Sequence, residues 1–113
     1  MATRYYISLP DPDKARASGP FALHSQGSEG MADELQAALR TDALFQRWRA
    51  AQDDPDAVDG SLAATDPSAT VSGRQDDLHI DLIVVTSLPG GVFKHRLRLL
   101  AGSAWELRDV SAA

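Results

Sequence analysis

The chain has 113 residues, 43% of them hydrophobic and 24% charged, which suits one folded domain with its own apolar core. Its formal net charge of −5 argues against sequence-independent nucleic-acid binding, which needs a dominant positive field. With no cysteine, disulfides, thiol catalysis and thiolate metal sites are excluded, and no run approaches the roughly 18 apolar residues that a membrane-spanning helix needs.

The opening residues MATRYYISLPDPD lack the apolar stretch and small-residue cleavage site of a signal peptide, so a cytoplasmic location is expected. Arg4 to Leu9 (RYYISL) is rich in β-branched and aromatic residues, and Pro10 ends it, so a first strand is predicted. Alternation places Tyr5, Ile7 and Leu9 on one face and Arg4, Tyr6 and Ser8 on the other. Asp11-Pro12-Asp13 reads as a turn, Lys14 to Pro20 as loop, and Phe21 to Ser25 as a short second strand ended by Gly27.

The period then changes. Ser28 suits an N-cap and Glu29 the first turn, after which Met31, Leu35, Ala38 and Leu39 recur at helical spacing. Thr41 can cap a second run containing Leu44, Phe45, Trp48 and Ala51. The spacing predicts one kinked helix or two short ones between Glu29 and Gln52, with Phe45 and Trp48 covered by the sheet. Residues 53–77 are rich in Asp, Ser, Gly, Pro and Ala, which predicts a long, acidic, partly mobile loop with a short strand at Ala69 to Ser72.

The strongest pattern is C-terminal. LHIDLIVVT, VFKHRLRLL and AWELRDV are separated by short Pro-Gly-Gly and Ala-Gly-Ser breaks, the pattern of a three-stranded antiparallel meander. Leu78, Ile80, Leu82 and Val84 would face the core with Phe93, His95, Leu97, Leu99, Trp105 and Leu107. That register pairs Val84 with His95, Leu97 with Leu107 and His95 with Asp109, and sets Asp81, Arg98 and Glu106 in a row on the outer face. Ile83 and Val85 would lie there beside Arg96 and Lys94.

The fold class that follows is α+β: one domain over residues 1–113, with a mainly antiparallel sheet of four or five strands and the helical segment on one face. The stripe Met31, Leu35, Leu39, Phe45 and Trp48 should meet Leu82, Val84, Leu97, Leu99, Trp105 and Leu107.

Candidate chemistry is sparse. His95 with Asp109 across from it would be an Asp-oriented general base, the best catalytic candidate, though a structural hydrogen-bonded pair is the reading the residues favour. His79 and Asp81 share a face near Asp76 and Asp77, but His-x-Asp leaves the remaining metal ligands undefined, so no metal site is expected. Asp54 to Gly60 resembles a calcium loop yet puts Val58 at its fifth position. Ser72-Gly73 and Pro89-Gly90-Gly91 lack the strand-to-helix context of a phosphate cradle. No cofactor is expected.

A helix followed by a meander that ends in Trp-x-Leu (AWELRDV) loosely resembles the last strands of cystatin-like and nuclear-transport-factor-like domains, over about a third of the chain. The resemblance implies a small-ligand domain or weak acid–base enzyme with a pocket near His95 and Asp109. It does not include the long N-terminal helix of those domains, and no functional residue is carried over from it.

The reading favoured by the residues is a small, acidic, non-catalytic interaction protein: an adaptor, an inhibitor or a self-associating subunit such as a homodimer. It would work through the sheet face carrying Asp81, Ile83, Val85, Lys94, Arg96, Arg98, Glu106 and Arg108. Its partner would be a protein or a second copy, and neither nucleic acid nor membrane.

Overall fold

Alternation in the first residues is realised as β1 (Thr3–Leu9), whose Tyr5, Ile7 and Leu9 are buried as expected. The computed structural model describes all 113 residues. Its remaining elements are α1 (Pro12–Arg16), α2 (Ser28–Arg40), α3 (Ala43–Ala50), β2 (Thr70–Asp76), β3 (His79–Thr86), α4 (Gly90–Ala101) and β4 (Glu106–Ala112). The strands form one antiparallel sheet in the order β2-β3-β1-β4. With α2 in the first crossover and α4 in the second, this is the β-α-β-β-α-β arrangement called ferredoxin-like. The α+β expectation therefore holds, with four strands and helices on one face.

The core lies between that face and the helices. Tyr5, Ile7, Leu9, Ile80, Leu82 and Val84 of the sheet pack with Met31, Leu35 and Leu39 of α2 and with Val92, Phe93, Leu97 and Leu100 of α4. Burial of each such side chain contributes about 1.5–3 kcal/mol relative to exposure. Phe93 stacks on Tyr5, with ring centroids 4.4 Å apart. The close approach of α2 to β2 depends on Gly73, because a Cβ there would lie 2.3 Å from the Ser28 carbonyl oxygen.

The predicted middle strand of the meander is a helix. VFKHRLRLL carries two periods at once. Phe93, His95, Leu97 and Leu99 alternate, whereas Val92, Phe93, Arg96, Leu97, Leu100 and Ala101 recur at helical spacing, and the second set is the buried one. Arg96 in the middle of that stripe hides it from a hydrophobic reading. Pro89 stands at the N-cap, and Gly102 ends the helix at φ +59, a region that favours glycine. Consequently β4 pairs with β1, and the register proposed across the meander does not exist.

Other boundaries shift for local reasons. Lys14 to Pro20 is not all loop, because Asp11 accepts the Lys14 N–H and Pro12 opens α1. Phe21 to Ser25 forms no strand. Leu23 donates to the Leu100 carbonyl at 2.9 Å, while the Glu34 carboxylate takes the N–H groups of His24 and Ser25, each at 3.0 Å. The helical segment is two helices, with Thr41 closing α2 and Asp42 at the N-cap of α3. Residues 53–77 are not one loop: two short 3-10 turns, Pro55–Ala57 and Gly60–Ala63, precede β2, which is longer than predicted. Trp48 lies against His95 of α4, at 4.5 Å between centroids, instead of under the sheet, and Leu107 is 40% exposed instead of in the core.

No helix is long and apolar enough to cross a membrane.

Candidate functional site: the open face of the sheet

Because the helices cover one side of the sheet, the alternate residues of every strand project from the other. The register sets them in rows. Arg74, Asp81, Ser8 and Glu106 run across all four strands, and Ser72, Ile83, Tyr6 and Asp109 form the next row. Thr70, Val85, Arg4 and Ser111 form a third. Each row mixes charged with uncharged groups, so the face is neither a continuous apolar patch nor a single-sign field.

A depression of about 870 Å³ opens on this face, with Tyr6, Ser8, Arg74, His79, Ile83 and Arg108 in its walls. Ile83, among the residues that line it, is 39% exposed. On the β4 side Arg108 donates to Glu106 at 2.8 Å. On the β2–β3 side His79 Nε2 lies 3.4 Å from Asp81 Oδ2 and 3.9 Å from Asp76 Oδ2, and Arg74 lies 3.7 Å from the same Asp76 oxygen. The ligand atoms of Asp76, His79 and Asp81 all fall within 4.8 Å of one another. This is the one arrangement on the face with donor types suited to a metal ion.

Of the residues assigned from sequence to an outer sheet face, Asp81, Ile83, Val85, Glu106 and Arg108 do project from the open side. Lys94, Arg96 and Arg98 do not, since they belong to α4 in the other layer. Arg96 is fully buried, and only Arg98 of the three is exposed. The expected row Asp81–Arg98–Glu106 is replaced by Arg74–Asp81–Ser8–Glu106.

The His95–Asp109 pair is not formed. Asp109 sits on β4 opposite Tyr6 and is exposed, whereas His95 packs edge-on to Trp48 with its Nδ1 buried and without a hydrogen-bond partner. Burial, and after it the charges of Arg96 and Arg98, hold the His95 pKa below its ordinary value. An unoriented imidazole beside two cations lacks the carboxylate partner that the general-base reading required.

Sequence reasoning missed Arg74, which lay inside the supposed loop, and passed over Tyr6 and Ser8. The alternation of β1 already carried the signal for the last two, because it set them opposite the core residues. The meander behind the cystatin-like and nuclear-transport-factor-like resemblance is absent, its middle strand being α4. No protein-family model, curated protein or solved structure matches this chain.

Proposed function

We propose that the protein is a non-catalytic binding module that takes a partner protein, or a second copy of itself, on the open face of its sheet. One observation carries this reading: Tyr6 and Ile83 are direct cross-strand neighbours in the middle of an uncovered face, with Arg74, Asp81, Glu106 and Arg108 around them. An aromatic and aliphatic centre within a charged rim has the anatomy of a protein interface. The proposal places it in the cytoplasm, a compartment with which a chain lacking cysteine is compatible. A ligand pocket between helix and sheet around His95 and Asp109 is less favoured, because those residues stand on different layers.

Light scattering on a sizing column, with affinity capture by the immobilised chain, tests the proposal. The wild type should self-associate or retain a specific partner, and Tyr6→Ala and Ile83→Glu should abolish this while keeping the wild-type circular dichroism. A strictly monomeric wild type that retains nothing, or retention untouched by both substitutions, would overturn it.

A further inference from the structure

We infer that Asp76, His79 and Asp81 form a binding site for a divalent transition-metal ion at the β2–β3 end of the open face. The hairpin builds the site. Asp77 and Leu78 form its two-residue turn, with Asp77 in the left-handed region at φ +55, and the register then sets Asp76 directly across from His79. Asp81 follows His79 by two residues and so shares its side of the strand. Sequence spacing alone supplied His79 and Asp81; the cross-strand pairing supplies the third ligand.

The distances suit a shared ion. Ligands held at about 2.0–2.2 Å from one ion stand roughly 3–3.5 Å apart when adjacent in its coordination shell. His79 Nε2 is 3.4 Å from one carboxylate and 3.9 Å from the other, and all three ligand atoms fall within 4.8 Å of one another, so rotation of the two carboxylates toward the imidazole is what closes the set. The chemistry narrows the ion. One imidazole nitrogen with two carboxylate oxygens suits zinc or manganese better than calcium or magnesium, which favour all-oxygen shells. Three protein ligands leave coordination positions for water or for a donor atom from outside the chain. All three ligands lie in or at the end of paired strands, which limits the reorganisation that binding requires. Their imidazole sets them apart from an ordinary acidic surface patch.

One group opposes the ion. Arg74 is 3.7 Å from the Asp76 carboxylate and is Asp81's cross-strand neighbour, so its guanidinium occupies part of the same field. Its side chain is 77% exposed and can turn to solvent when an ion enters.

Calorimetric titration of the metal-free full chain with zinc chloride tests the site, with magnesium chloride as the comparison. We expect one zinc per chain and no magnesium uptake at the same concentrations. His79→Ala and Asp81→Asn should each weaken zinc binding at least tenfold, Arg74→Ala should tighten it, and His24→Ala, at an exposed histidine elsewhere, should leave it unchanged. In the wild type, zinc should also move the amide resonances of residues 76–81. Absence of zinc binding, or binding that His79→Ala and Asp81→Asn leave intact, would overturn the inference. The outcome is independent of partner docking, since a monomer that retains no protein can still take up zinc.

Discussion

Arg96 Nη2 donates to the carbonyl of Leu62 at 2.8 Å, tying α4 to the connection that precedes β2. The same guanidinium donates to Ala64 at 2.6 Å and, through Nη1, to Ala38 at the end of α2. It is fully buried with no carboxylate among its hydrogen-bond partners, and Nε has none at all. The planar fork is what lets one side chain reach carbonyls of separate segments. Arg96→Met should therefore cost about 3 kcal/mol, because several carbonyls lose their donor together. Arg96→Lys should not rescue it, as a single ammonium cannot span the same acceptors. Urea unfolding measures the loss, and limited proteolysis should show earlier cleavage within residues 53–69 in both variants. Wild-type stability in Arg96→Lys would refute the clamp.

Gly73 makes a second, sharper prediction. A Cβ there would meet the Ser28 carbonyl oxygen at 2.3 Å and its carbon at 2.9 Å, both backbone atoms of the first turn of α2. Neither yields by a rotamer change, so helix and strand must move apart. Gly73→Ala should lower stability by about 1–3 kcal/mol, the usual range for overpacking. Gly91→Ala is the control: nothing lies within 4 Å of its added methyl and it sits in the first turn of α4, so it should be neutral or stabilise by up to about 1 kcal/mol. Equal melting temperatures for the two variants would contradict the close approach.

The buried Arg96 and the close approach at Gly73 explain which parts of the fold were legible in the sequence. β1 and β3 were readable because their apolar residues alternate toward the core with a period of two, although Ser8 on the other side of β1 is buried as well. In α2 the stripe of Met31, Leu35, Ala38 and Leu39 is uninterrupted, so the helix stands out. In α4 the stripe is broken by Arg96, whose burial depends on carbonyls more than thirty residues away, and no local pattern reports that. β2 was shortened because Gly73 and the charged Arg74 and Asp76 look like loop, although Gly73 is there to admit α2 and the charges face the open side. Half of the candidate face was legible for the same reason: alternation locates outward residues within a strand, but which strands become neighbours is a property of topology.

Asp66 should contribute to the loss of stability in acid. Its carboxylate is buried and accepts from the Ser87 N–H at 2.8 Å, the Thr86 hydroxyl at 2.8 Å and the Ser68 N–H at 3.0 Å. The Ser87 bond is the main reason its pKa falls below 3.8; burial opposes the shift, and the Thr86 and Ser68 bonds add to it. A group with a lowered pKa in the folded state stabilises the fold above its ordinary value, and that stability is lost as pH falls through the folded value. Asp66→Asn should therefore destabilise the protein by about 1–3 kcal/mol at neutral pH by weakening these bonds. It should also flatten the loss of stability below about pH 4, the ordinary range of a carboxyl group. Urea midpoints at pH 7, 4 and 3 check both effects, and parallel curves for the two proteins would contradict the assignment.

His95 acts in a separate window. Burial beside Trp48 comes first, and the charges of Arg96 and Arg98 add to it, so the folded-state pKa lies below 6.5. The unfolded chain takes up a proton at higher pH than the folded one, so His95 favours the fold fully above about 6.5 and progressively less as pH falls. Its side chain has no hydrogen-bond partner at Nδ1, so little is lost when a nonpolar group of similar volume replaces it. His95→Leu should match the wild type within about 1 kcal/mol at pH 7.5, the range of a size-matched apolar replacement. At pH 5.5 it should be the more stable of the two, because it has no imidazole to charge between Trp48 and the two arginines. Unfolding free energies at the two pH values decide the point: an equal loss in both proteins on acidification would mean that His95 titrates in the fold as it does in the open chain.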